Sequence, residues 1–168
     1  MNRVWTRLLL VGSALAALGS TNAALAQVPE TIAAPGETVV VTLHAEGAQV
    51  YECKADAGGK LAWQFREPIA TLFVDGKTSG RHYAGPSWEH TDGSAVVGKA
   101  VARAPGRSPT DIPWLKLEVT ERRGSGVLSG VTTVQRINTQ GGLAEGACEK
   151  SGAYMSAAYA ADYVFLRK

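Results

Sequence analysis

The sequence predicts an all-β, mostly antiparallel single domain, a sandwich or small barrel of roughly eight short strands closed by one disulfide. Short runs of β-branched and aromatic residues alternate apolar and polar positions, as half-buried strands do. Turn-forming pairs such as Asp75-Gly76 and Asp92-Gly93 punctuate these runs. Beyond residue 26, no stretch sustains a helical repeat over more than about two turns.

The first residues read differently from the rest. Arg3 and Arg7 accompany an apolar run from Leu8 to Leu18, interrupted by Gly12 and Ser13, and small residues lead to Ala24-Leu25-Ala26. This three-part pattern predicts a secretory signal peptide over residues 1–26, cut before Gln27, and hence a periplasmic or extracellular protein. The apolar run is shorter than the ~20 residues that cross a bilayer, so no membrane span is expected once the signal is removed. The whole chain has 17 Lys+Arg against 15 Asp+Glu. Arg3 and Arg7 belong to the signal, which holds no acid, so residues 27–168 are formally neutral. Nucleic acid is therefore not an expected partner, because counterion displacement needs a positive surface. A polybasic membrane patch is excluded on the same ground.

Residues 27–37, with Pro29, Pro35 and Gly36, read as an extended lead-in to one β domain over 38–168. Residues 38–44 form a first strand. Gly47 opens a second, in which Gln49, Tyr51 and Cys53 share one face and Val50 and Glu52 the other. After a turn at 56–60 come strands at 61–66 and, beyond Pro68, at 69–74. Residues 81–94 read as irregular and aromatic. Strands follow at 95–101, 114–121, 131–138 and 159–166. In the strand at 114–121, Leu115, Leu117 and Val119 point one way and Lys116, Glu118 and Thr120 the other. Residues 153–161 have the alanine content of a short helix, but strand is the reading from Tyr159 onward.

Cys53 and Cys148 are the two cysteines, and in an exported chain their pairing is the default. They do not form the Cys-x-x-Cys unit of redox catalysis. Most other catalytic signatures are absent, among them the nucleophile elbow, the zinc-binding His-Glu-x-x-His and the phosphate-binding loop. The glycines at 124–130 read as a hairpin loop. No metal and no cofactor is expected.

One segment concentrates chemistry. Within residues 82–94 lie His82, Tyr83, Trp88, Glu89, His90 and Asp92, groups suited to orient a ligand or to move protons. The candidate ligand-binding residues are Tyr83 and Trp88 as apolar anchors, with His82, Glu89 and Asp92 as polar orienters. The first reading of function is thus a non-catalytic binding or envelope-associated module, whose partner is a small molecule or an envelope protein. One alternative is a hydrolase or lyase using His82 with Glu89 or Asp92. A second is a structural or protein-interaction domain, in which 82–94 is a compact loop with Trp88 in the core. Arg136, in mid-strand, suits either a structural ion pair or an anion site.

Several motifs in order resemble a known family: Gln49-Val50-Tyr51-Glu52-Cys53, Trp63, Glu67-Pro68-Ile69-Ala70, 82–89, Asp92-Gly93-Ser94, Ile112-Pro113-Trp114-Leu115, Val134-Gln135-Arg136-Ile137, Gly141-Gly142, Cys148 and Ala161-Asp162-Tyr163. They are similar to the secreted bacterial and fungal family catalogued as domain of unknown function 3455. That resemblance implies one fold over nearly all of residues 27–168 and agrees with export. It implies no mechanism.

Overall fold

The computed structural model describes residues 28–168, so the expected signal peptide lies outside the described residues. Eight antiparallel strands form one closed barrel: β1 (Thr38–Ala55), β2 (Leu61–Val74), β3 (Lys77–Tyr83), β4 (Ser87–His90), β5 (Ala95–Ala104), β6 (Trp114–Arg123), β7 (Thr133–Gly141) and β8 (Tyr154–Arg167). Each strand pairs with its neighbours in the chain, and β1 pairs with β8 to close the circle. Closure leaves no sheet edge exposed, which settles barrel over sandwich for this chain.

The strands are divided differently from the sequence expectation, although the count is the same. Gly47 does not open a strand. It lies inside β1 opposite Ala70, where a Cβ would come within 2.6 Å of the Ala70 Cα, so glycine permits a close approach of β1 and β2. Pro68 likewise lies inside β2. Its partner on one side is Gln49, while pairing to β3 begins only at Ala70, so no ladder hydrogen bond is lost. The two expected strands on either side of each residue are therefore one. The irregular segment 81–94 instead contains the end of β3 and all of β4, joined by a turn through Ala84, Gly85 and Pro86. The Ala-rich segment is strand from Tyr154, because β1 offers it a continuous partner from Glu52 onward. Pairing overrides the helix preference of alanine.

The turn signals hold. Asp75 (φ 49°) and Gly76 (φ 72°) make the β2–β3 turn with two positive φ angles, the conformation an Asp-Gly pair supports.

Inward positions are filled alternately along each strand. At the end of the barrel closed by the β2–β3, β4–β5 and β6–β7 connections, Leu43, Leu72, Val96, Val134 and Phe165 pack tightly. Leu128 and Val131, from the loop between β6 and β7, join them and plug that end. The lead-in runs outside the barrel. Its single 3-10 turn, Glu30–Ile32, buries Ile32 against Ala104 and Trp114. Gln135 Nε2 donates to Ile32 O at 2.7 Å, which fastens the lead-in to β7.

The expected disulfide is present between Cys53, near the end of β1, and Cys148, in the β7–β8 loop. Gly152 N donates to Cys53 O and Cys53 N to Ala153 O, so backbone hydrogen bonds hold the same junction.

Candidate functional site

The opposite end of the barrel is not filled. A cavity of about 490 Å³ lies there, and its wall includes residues of the β3–β4, β5–β6 and β7–β8 connections, such as Pro86, Pro113 and Leu143. Pockets of this size suit small organic molecules. Most of the wall is apolar or aromatic, with Phe65, Trp88, Ile112, Leu115, Leu117 and Leu143 contributing. Among these stand a few polar groups: Gln49 and Tyr51 from β1, His82 from β3, Arg136 from β7 and Tyr163 from β8.

His82 and Trp88 occupy paired positions on β3 and β4 and both face inward. Their rings stack, and Tyr163 tilts against both. His82 Nδ1 meets Ser87 O at 2.8 Å. A carbonyl only accepts, so Nδ1 carries the proton and Nε2 of the neutral ring is the acceptor. Burial pushes the His82 pKa down to about 3, and the positive charge of Arg136 adds to that.

Arg136 is half-buried in the wall. Its Nε and Nη2 both donate to Pro113 O, at 3.0 and 2.8 Å. Among the described residues no carboxylate lies within salt-bridge distance of it. Burial raises the pKa values of Tyr51, Tyr159 and Tyr163, and in each case Arg136 acts in the opposite direction. Tyr51 donates to Gly142 O at 2.8 Å and so pins the β7–β8 loop at the cavity. Gln49 is 2% exposed, and its Nε2 makes no hydrogen bond of good geometry, although Gln49 lies near enough to the Tyr159 hydroxyl to act against the rise in its pKa.

The candidate residues read from the sequence are thus distributed over three places. His82 and Trp88 line the cavity. Tyr83 and Glu89 lie on the outer face, where Tyr83 donates to Glu89 and Arg81 and Arg123 bind the same carboxylate. The hydrogen bonds from Arg81 and then Tyr83 hold Glu89 below the usual carboxylate pKa. Asp92 sits in the β4–β5 turn at the plugged end. It accepts from Ser94 N and Oγ and from Val127 N, contacts that tie the turn to the plug loop. The Ser94 hydroxyl bond is the largest cause holding the Asp92 carboxyl far below its ordinary value. His82 therefore has neither Glu89 nor Asp92 beside it. His44 pairs on the outer face with Asp162 and Glu46.

Gln49, Tyr51, Ile112 and Tyr163 are cavity residues that the segment-based reading of 82–94 missed, and Arg136, which the sequence offered as suited to an ion pair or an anion site, stands with them in the wall. The available signal was parity: Gln49 shares a face with Tyr51, and Arg136 lies two residues from the fully buried Val134 on β7. Chain distance hid their convergence.

Residues 33–167 match the family model described as "Protein of unknown function (DUF3455)". The chain belongs to this family. No curated protein and no solved structure matches the chain. The segments that resemble DUF3455 supply Gln49, Tyr51, His82, Trp88, Arg136 and Tyr163 to the cavity wall. No helix among the described residues is long and apolar enough to cross a membrane.

Proposed function

We propose that this DUF3455 chain is a binding protein that takes a small, mainly apolar molecule into the barrel, acting outside the cytoplasm. The observation that carries this reading is the cavity of about 490 Å³, largely apolar in lining, at the end opposite a tightly packed core. An apolar void of this kind favours an apolar guest, whose burial contributes ~25 cal/mol per Å² of surface removed from water. The walls are braced by pairs that pre-form the space: Tyr51 on Gly142, Arg136 on Pro113 and His82 on Ser87. Pre-formed walls lower the ordering cost of binding. The disulfide and the signal-like pattern over residues 1–26 support the location.

Titration with a neutral, environment-sensitive fluorophore such as N-phenylnaphthylamine tests the reading. Saturable emission at one site per chain is expected. Ala100→Trp, which places bulk at an exposed position of the wall, should weaken that binding while the barrel stays folded. Absence of saturable binding to folded protein, or binding unaffected by the added bulk, would overturn it.

A further inference from the structure

On the reading of the cavity as a small-molecule site, on which this step rests, we infer that the guest is an amphiphile with one carboxylate, seated on Arg136 and Gln49 with its apolar body against Trp88, Ile112 and Leu117. Arg136 is a half-buried cation in a mainly apolar wall, without a carboxylate partner among the described residues. A charge withdrawn from water is costly until it is paired. Two of its nitrogens share a single carbonyl oxygen, that of Pro113, which bears no formal charge to offset the guanidinium.

Gln49 supplies a second, independent sign. Its side chain is almost wholly buried in the same wall, and Nε2 makes no well-formed hydrogen bond, although the Tyr159 hydroxyl is close enough for Gln49 to act on it. Such a poorly satisfied donor is expensive unless something completes it. Arg136 and Gln49 both adjoin the Ile112-Pro113 segment. Arg136 holds Pro113 O, and Gln49 Cγ and Ile112 Cγ2 each lie 3.1 Å from where a Cβ on Gly142 would stand. One carboxylate is able to accept from a planar guanidinium and from an amide together.

Charge balance sets the number. Arg66, the other cation of the wall, is engaged by Glu52 and Glu67. His82 is neutral at ordinary pH, since burial holds its pKa at about 3. One unpaired positive charge matches a monoanion. A phosphate dianion would leave a negative charge among apolar side chains. The competing account is that Arg136 only braces the Pro113 carbonyl.

The test uses displacement of bound N-phenylnaphthylamine by three molecules of one shape: naphthoate, naphthalenemethanol and naphthalenemethylamine. Naphthoate should compete about tenfold more strongly than the alcohol, and the amine more weakly than either. In folded Arg136→Met, the naphthoate-to-alcohol affinity ratio, read by direct calorimetric titration so that it does not depend on how well the variant holds the reporter, should fall to about one. Should that variant not fold, Gln49→Leu takes its place, with at least about a threefold loss of the same preference expected. Equal competition by acid and alcohol in the natural protein would overturn the carboxylate and leave the small-molecule reading standing. So would a preference unchanged in the folded variant. Failure of the reporter itself to bind would remove both.

Discussion

His82 and Trp88 face each other across β3 and β4 with their ring centroids 4.6 Å apart and their planes 7° from parallel. The stack belongs both to the core and to the cavity wall. Trp88 is 1% exposed and also meets Phe165 edge-on, in the packed half of the barrel. One residue pair therefore joins the part that stabilises the fold to the part that is free to accept a guest.

Trp88→Ala should cost about 3–5 kcal/mol, because it removes a buried aromatic and leaves a void beside an existing cavity. Trp88→Phe should cost less. Urea unfolding of both variants measures this. A loss below about 1 kcal/mol for the alanine variant would mean that Trp88 does not anchor the core.

His82 predicts a pH dependence with a definite sign. Its pKa is 6.5 in an ordinary setting and about 3 in the folded barrel. The unfolded chain takes up the proton first, so acid favours unfolding. Stability should be highest above pH 6.5 and decline as pH falls toward 3, by on the order of 4 kcal/mol across the window. The carboxylates with lowered pKa values, Glu52, Glu89 and Asp92, act only below their ordinary values of 4.5 and 3.8. Between pH 6.5 and 4.5, His82→Asn should therefore show a flatter midpoint-versus-pH curve than the natural protein. Parallel curves would show that the ring is protonated in the folded state.

Asp92 acts at the other end. Asp92→Asn should destabilise by about 1–3 kcal/mol, since charge-assisted bonds to Ser94 and Val127 are weakened. Hydrogen exchange should accelerate at the Val127 and Leu128 amides, which are bonded to Asp92 and Ser94. The Asp92 contribution is present above its ordinary pKa of 3.8 and is lost as pH falls below it. Unchanged exchange in the plug loop would separate Asp92 from that loop.

The disulfide spans 95 residues of chain. By loop-closure entropy its removal costs up to about 4–5 kcal/mol. Cys53→Ala with Cys148→Ala should lower the unfolding midpoint accordingly. It should also weaken fluorophore binding, because the loop that Cys148 anchors provides Leu143 to the wall and Gly142 O to Tyr51. Full affinity in the double variant would show that Tyr51 alone is enough to hold the loop.

Much of this was legible without coordinates, and the failures are specific. Parity along a strand is a local property, so Gln49 with Tyr51 and Leu115 with Leu117 were assigned to common faces from the sequence. Segment 82–94 failed because its inward positions hold His82 and Trp88 while its outer ones hold Tyr83 and Glu89. A polar residue inside and an aromatic one outside blur the alternation that marks a strand. Gly47 and Pro68 failed because glycine and proline break strands only when a neighbouring ladder requires what they lack.

The sequence by itself determined an all-β chain, the pairing expected of Cys53 with Cys148, the turns at Asp75-Gly76 and Asp92-Gly93, and which residues share a face at 49–53 and at 115–119. Each follows from residue type and two-residue spacing. Only the tertiary structure decided that β1 meets β8, that one end of the barrel is plugged while the other holds a cavity, and that Arg136 stands there without a carboxylate. Those outcomes depend on the summed side-chain volumes of eight strands and on contacts between residues a hundred or more positions apart, such as His44 and Asp162. No local pattern encodes a void. It exists where the inward side chains of all strands together fail to fill the space they enclose.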